Sequence, residues 1–483
     1  MTAPEQAAPV PVGDLGRVHL VGVGGAGMSA VALLLAARGL AVSGSDAADG
    51  PALPGLRAAG VDVHVGHDAA LVADVDTLVV SSAVRETNPE LAAARAAGLR
   101  VLHRSQALAS LMADRDGVAV AGAHGKTTTS AMVATALLAV GADPSFAIGG
   151  TVLTEAGPVG GGHDGAGAAF VAEADESDGS FLAYAPLVSV VTNVEPDHLD
   201  HYGTREAFED AFVAFAARVR PGGLLVACAD DDGSRRLVAR VTDDLASRGV
   251  DVLTYGRSAD ADVRVGELVA QEDARWTFDV TPRDATGATT VTLAVPGTHN
   301  ALNAAAAWAV LVRLGVPGPD AAHVLGAFRG TGRRFEDRGT VGGVRVVDDY
   351  AHHPTEVAAL LRTARAVVGT GRVLALFQPH LYSRTRTFAT EFGAAFDLAD
   401  LVVVTDVYAS REDPDPDVSG ALVVDRVPTP GKASFVPDRH AAARAVADAA
   451  RPGDLLLTVG AGDVTTLGPE ILEHLAARER DAS

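Results

Sequence analysis

Gly117-Val118-Ala119-Val120-Ala121-Gly122-Ala123-His124-Gly125-Lys126-Thr127-Thr128 reads as a buried strand that passes through a glycine-rich turn into a helix. In such a turn the backbone amides wrap the β- and γ-phosphates of a nucleoside triphosphate. Lys126 neutralises them, and the Thr127 hydroxyl meets Mg²⁺. The usual GxxxxGK[ST] spacing puts glycine at position 120, which here is Val120, so the loop is a shortened form. Lysine occurs only at Lys126 and Lys432. A lysine at a phosphate turn of an otherwise arginine-rich chain is therefore a chemical choice rather than surface filler.

Outward from this loop, the next strands end in acidic and histidine-bearing turns, where ligands of parallel sheets bind. Ala168 to Ala172 leads into Glu173-Ala174-Asp175-Glu176-Ser177-Asp178, where a carboxylate can hold Mg²⁺ on the triphosphate. Asp175 and Asp178 read as a solvated acidic turn. Val188 to Thr192 leads into Asn193 to His201, where His198 is a candidate ligand of a second Mg²⁺. From Asp262 to Val295 the apolar residues alternate with period two, predicting an antiparallel appendage, followed by a helix over 300–314.

Towards the amino terminus, Val18 to Val21, Leu40 to Val42 and Thr77 to Val80 read as strands separated by helical stretches such as Met28 to Arg38. Gly22-Val23-Gly24-Gly25-Ala26-Gly27 follows the first strand and opens a helix, so its amides and the helix dipole can hold a diphosphate. Asp46 comes about twenty residues later, where a carboxylate meets a ribose. Towards the carboxyl terminus the strand-helix rhythm restarts after the Gly- and Arg-rich segment Phe328 to Gly343, with strands at 344–347, 373–377, 401–405 and 455–459. Two of these strand ends present Arg334 with Asp348-Asp349-Tyr350-Ala351-His352-His353, and His380 with Tyr382, Arg384 and Arg386. Such a rim suits a carboxylate or phosphate.

Length and composition agree with several α/β domains. The 483 residues predict roughly three domains at about 150 each. A hydrophobic fraction of 48% supports a normal buried core. The net charge of −22 works against non-specific binding to nucleic acid or anionic membranes. The single cysteine, Cys228, lies in an apolar run, which excludes an intrachain disulfide and predicts a buried thiol. No signal-like start and no membrane-length apolar run is present, so a cytosolic protein without membrane insertion is expected.

With these motifs in this order the chain resembles the Mur ligases. The resemblance runs through GVGGAGMS at Gly22 to Ser29, SGSD at Ser43 to Asp46, SSA at Ser81 to Ala83, NPE at Asn88 to Glu90, GAHGKTTT, EADESD, TNVEPDH, PGTHNALNA at Pro296 to Ala304, GTGRRF at Gly330 to Phe335, DDYAHHPTEV and QPHLYSRTR. It implies an α/β chain of three domains. These are a Rossmann-like UDP-sugar domain (1–111), a central P-loop ATPase domain with a parallel sheet and small antiparallel appendage (112–329), and a Rossmann-like domain (330–483) that closes over ATP and the amino acid. It also implies the reaction: ATP phosphorylates the carboxylate of UDP-N-acetylmuramate, the amine of L-alanine attacks the acyl phosphate, and phosphate leaves.

Carried over by position, Gly22, Gly24, Gly25, Ala26, Gly27, Ser45, Asp46, Ser81 and Ser82 flank the UDP-sugar. Gly122, Ala123, His124, Gly125, Lys126, Thr127 and Thr128 hold the ATP phosphates, and Asn303, Arg334 and Asp349 match positions used for adenine, phosphate and ribose. Thr127, Glu173 and His198 are the implied ligands of two Mg²⁺ ions. Tyr350, His352, His353, His380 and Arg384 face the amino-acid side, and Lys126, His198 and Arg384 are the implied catalytic residues. Two departures stand out: Leu381 replaces an arginine common after QPH, and the stretch Phe208 to Phe215 lacks the lysine that sister ligases carry carbamylated. Members that add L-alanine also lack that lysine. A monomer or homodimer fits. The competing functions are a recycling ligase that joins the same UDP-sugar to a tripeptide, an NAD-dependent oxidoreductase built on the first glycine loop, and a non-catalytic nucleotide-binding regulator.

Overall fold

The computed structural model describes residues 8–154, 157–196, 199–272, 275–410 and 412–482. The chain divides into two compact units, Met1–Ala294 with Asn300–Arg329, and Val295–His299 with Gly330–Ser483.

The first unit contains two large sheets, one wholly parallel and one mixed, and a small antiparallel pair, Val152–Thr154 with Gly157–Val159. One is ordered Asp62–Val65, Val42–Asp46, Val18–Val21, Thr77–Val80, Arg100–His103, all parallel. Parallel strands covered on both faces become continuous apolar runs, as in the fully buried Val18–Val21. The second strand lies at Val42–Asp46, further along than the apolar triplet Leu40 to Val42 suggests. Gly39, at φ +82°, and the two residues after it are spent on leaving the helix Ala26–Ala37, and the small residues Ser43, Gly44 and Ser45 fit the crowded sheet centre. Here packing overrides β-propensity.

The other sheet places Ser145–Ala147, Ala169–Glu173, Asp116–Ala121, Val188–Val191, Leu224–Cys228 and Asp251–Gly256 side by side and parallel. The alternating segment beyond it continues this sheet. Val263–Val265 pairs parallel with the strand Asp251–Gly256, then Trp276–Pro282 and Thr289–Leu293 add antiparallel pairs with alternate residues buried. Cys228 is buried, and burial pushes its thiol up to about 11. One apolar core runs through both layers of this unit, from Leu20, Leu34 and Leu35 to a cluster of Phe181, Phe208, Phe212 and Phe215. The layers are also pinned by Arg38 Nε on Asp164 at 2.6 Å.

In the second unit the sheet order is Glu336–Val341, Val344–Asp349, Leu455–Val459, Val373–Phe377, Leu401–Val404, Ala433–Phe435. Only the first pair is antiparallel. The strand Glu336–Val341 falls in the segment that reads as an Arg- and Gly-rich connection. It is a half-exposed edge, so no apolar pattern marks it. Among the described residues no helix is long and apolar enough to cross a membrane.

Candidate active site

Two strand-loop-helix turns lie in the first unit. In the first, the amides of Gly22 and Val23 donate to the Ser45 carbonyl, and the Gly24 amide donates to Asp46 Oδ2 at 2.9 Å. Asp46 thus braces the loop as well as bordering its cleft. The cleft encloses about 690 Å³, lined by Gly22, Gly25, Ala26, Gly27, Asp46, His67, Ser81, Asn88 and Arg104, among others. A Cβ on Gly27 would collide with the Arg104 guanidinium, so a glycine there lets that cation lie against the start of the helix Ala26–Ala37.

Ser45, expected to flank the sugar nucleotide, is fully buried. Its hydroxyl donates to Glu90 Oε2 at 2.7 Å, and Glu90 also meets His19 at 3.2 Å, His67 at 3.1 Å and the Asp68 amide at 3.2 Å. The hydroxyl is used inside the fold because a carboxylate sealed from water must be surrounded by donors. Those donors overcome the opposing effect of burial and hold the Glu90 carboxyl below its ordinary range. Ser82 turns away from the cleft to face Asp178, whereas Ser81 lines it.

The second turn follows the strand Asp116–Ala121. Gly125 has φ +85°, and a Cβ there would come within 2.7 Å of Asn303 Oδ1. Asn303 therefore sits against the loop backbone. His124 donates its amide to Asn193 Oδ1 at 3.0 Å, and its ring meets Glu195 at 3.2 Å. Lys126 Nζ donates to both Glu176 oxygens at 2.9 and 2.8 Å and to the Gly122 carbonyl at 2.7 Å. Burial opposes its charge, but Glu176 and Asp175 outweigh burial and raise its pKa, so Lys126 is a cation throughout the neutral range. Thr128 is buried in the helix Lys126–Ala139.

Thr127 adjoins Glu173, which also accepts the Gly149 amide at 2.7 Å. A hydroxyl and a carboxylate together are hard oxygen donors, and burial raises the Glu173 pKa in a way a divalent cation would reverse. These residues fit Mg²⁺. His198 lies outside the described residues. Asp175, read as part of a solvated turn, instead makes an ion pair with Arg104 at 3.2 Å, and Asp178 lies 3.5 Å from the His103 ring.

In the second unit, Arg333 (φ +59°) and Phe335 (φ +49°) fold the GTGRRF segment back on the strand Val344–Asp349. Asp349 accepts the Phe335 and Ala351 amides, each at 2.8 Å, and burial pushes its carboxyl up to about 6. Arg333 and Arg334 stack on Tyr350, 4.8 and 5.2 Å from the ring centre. Glu356 ties Arg334 at 3.4 Å to His352 at 3.2 Å. Burial, helped by nearby arginines, holds His352 down at about 3, so this imidazole is neutral at physiological pH.

His380 meets Arg384 at 3.5 Å and stacks on Tyr408, with ring centres 5.9 Å apart. His353 differs from its neighbours. It is 3% exposed, caps the helix Pro354–Val368 by accepting the Thr355 amide at 3.4 Å, and packs on Phe388. Leu381, 7% exposed at φ +69°, points into the protein at the start of the helix Tyr382–Phe396, so the departure from arginine is accommodated by burial.

Family models agree with this geometry over most of the chain. The model described as "Mur ligase family, catalytic domain" matches residues 17–116, "Mur ligase middle domain" 120–311, and "Mur ligase, glutamate ligase domain" 333–462. The chain belongs to the Mur ligase family. Among Mur ligase relatives, it is 61% identical to the UDP-N-acetylmuramate–L-alanine ligase of Kineococcus radiotolerans, over 99% of this chain and 100% of that one. It is 52% identical to the protein of that name from Renibacterium salmoninarum, over 98% and 99%. Among solved structures it is similar to the UDP-N-acetylmuramate-alanine ligase of Thermotoga maritima, with TM-score 0.79, 30% identity, and coverage of 97% and 100%. It is also similar to a murein peptide ligase from Psychrobacter arcticus, with TM-score 0.69, 25% identity, and coverage of 95% and 99%.

Three members of the site escape sequence reasoning. Glu176 stands inside the acidic run, but spacing alone does not say which carboxylate meets Lys126. Arg104 carries no motif. Glu356 has a signal that could have found it: it lies three residues after the cap His353, where a helix-start carboxylate is favoured.

Proposed function

We propose that this chain joins L-alanine to the carboxylate of UDP-N-acetylmuramate at the expense of ATP, in the synthesis of peptidoglycan precursors. One observation carries the mechanism. A cationic nest, Lys126 within Gly122 to Thr128, is set in the same unit as a cleft beside the other glycine loop, Gly22 to Gly27.

A carboxylate and a triphosphate repel each other, so bringing them within reach demands concentrated positive charge. Lys126, held by Glu176, supplies fixed charge at the γ-phosphate. When bound at Thr127 and Glu173, Mg²⁺ adds charge neutralisation on the phosphate oxygens. A second ion at His198 rests on the family resemblance. The muramoyl carboxylate attacks the γ-phosphorus and ADP leaves. The amine of L-alanine then attacks the acyl carbon, breaking the C–O bond and releasing phosphate. In the second unit, Arg384 beside His380 suits the carboxylate of the amino acid, while Arg334 and Asp349 suit the nucleotide's phosphate and ribose. The domain limits 111/112 and 329/330 remain those drawn from the sequence, with the monomer or homodimer alternative.

The test is phosphate release across a matrix of UDP-sugars and amino acids. Release that requires UDP-N-acetylmuramate, ATP and L-alanine together supports the proposal. Release with tripeptide in place of L-alanine favours the recycling reaction instead, and phosphate release independent of either co-substrate contradicts both.

A further inference from the structure

The turn from Glu173 to Asp178 carries four carboxylates in six residues, and the structure sends them two ways. Glu173 and Glu176 meet the phosphate loop, at Thr127 and Lys126. Asp175 and Asp178 meet the layer that carries the first glycine loop, at Arg104 and His103, with Ser82 facing Asp178. Arg104 opens the helix Arg104–Met112, and its guanidinium lies in the cleft against Gly27. The cleft lining holds two arginines, Arg85 and Arg104, and Arg104 is the one fastened at its far side by a carboxylate.

An unfastened arginine has many rotamers and orders on a ligand only at an entropic cost. A planar guanidinium pinned on one edge presents the other edge ready to an anion.

We propose that Asp175 is a positioning residue, which holds the Arg104 guanidinium against the first glycine loop so that it meets the diphosphate of the UDP-sugar. The assignment rests on the reading of that cleft as the UDP-sugar pocket. Asp175 does this from the turn whose other carboxylates serve the phosphate loop, so its removal should separate the two nucleotide affinities.

The experiment is calorimetric titration of the full chain with UDP-N-acetylmuramate and, separately, with Mg-ATP. Asp175→Asn should weaken UDP-N-acetylmuramate about tenfold, as expected for loss of a charge-assisted contact, and leave the affinity for Mg-ATP within about threefold. Asp175→Glu should restore most of the loss. Arg104→Lys, which keeps the charge but not the fork, should fall between wild type and Arg104→Ala. In the Arg104→Ala background, Asp175→Asn should add less than about twofold, because the two residues act as one unit.

Additive effects of the two substitutions would overturn the proposal. So would unchanged UDP-N-acetylmuramate affinity in Asp175→Asn, or equal loss of both ligands without rescue by Asp175→Glu. Wild-type protein that binds no UDP-N-acetylmuramate would remove the functional reading and this proposal with it, whereas wild-type binding with an unaffected Asp175→Asn overturns the proposal alone.

Discussion

The two glycine loops, 22–27 and 122–127, share a strand, a turn and a helix, yet they obtain positive charge in different ways. The second carries its own cation, Lys126, one residue into the helix and locked on Glu176. The first has no lysine and borrows Arg104 from a helix about eighty residues away in the chain, across a glycine that leaves room for it. A loop that must drive phosphoryl transfer fixes its cation locally, while a loop that only has to bind can rely on amides, a helix dipole and a cation supplied by tertiary packing.

The strongest break of this contrast is Lys126→Ala. It should lower kcat by about 10³-fold or more while leaving UDP-N-acetylmuramate affinity nearly intact, as read by phosphate release and calorimetry. Glu173→Gln should come next, lowering kcat by about 10²-fold and raising the Mg²⁺ concentration needed for half-maximal rate, as read in a metal titration. Gly27→Ala should act on the other loop alone, because the new methyl displaces the Arg104 guanidinium. Its KM for the UDP-sugar should rise about tenfold with KM for ATP unchanged. Ser45→Ala sharpens the comparison at the small end. The lost hydroxyl leaves Glu90 one donor short, so thermal melting should show about 1 kcal/mol of destabilisation, with UDP-sugar affinity changed less than twofold.

Much of this was legible from residue types and order, and the misses share a cause. The strands that begin and end at apolar runs, such as Val18–Val21, Thr77–Val80 and Val373–Phe377, lie where periodicity places them. Val42–Asp46 and Glu336–Val341 are made by neighbours and an edge rather than by their own hydrophobicity. At the site, the phosphate loop is legible because its geometry is local. Ser45 and His353 are placed by position along the chain and Asp175 by the polarity of its turn, but burial decides what a polar side chain does. A buried hydroxyl, a capping imidazole and a clasped carboxylate each answer to partners that are distant in sequence.

The most direct measurement places ¹⁸O in both oxygens of the muramoyl carboxylate and weighs the phosphate released on turnover with ATP and L-alanine. Transfer of the γ-phosphoryl group to that carboxylate, followed by cleavage of the C–O bond, delivers one labelled oxygen to each phosphate. Unlabelled phosphate, with the displaced carboxylate label appearing in water instead, would contradict the role given to the Lys126 loop.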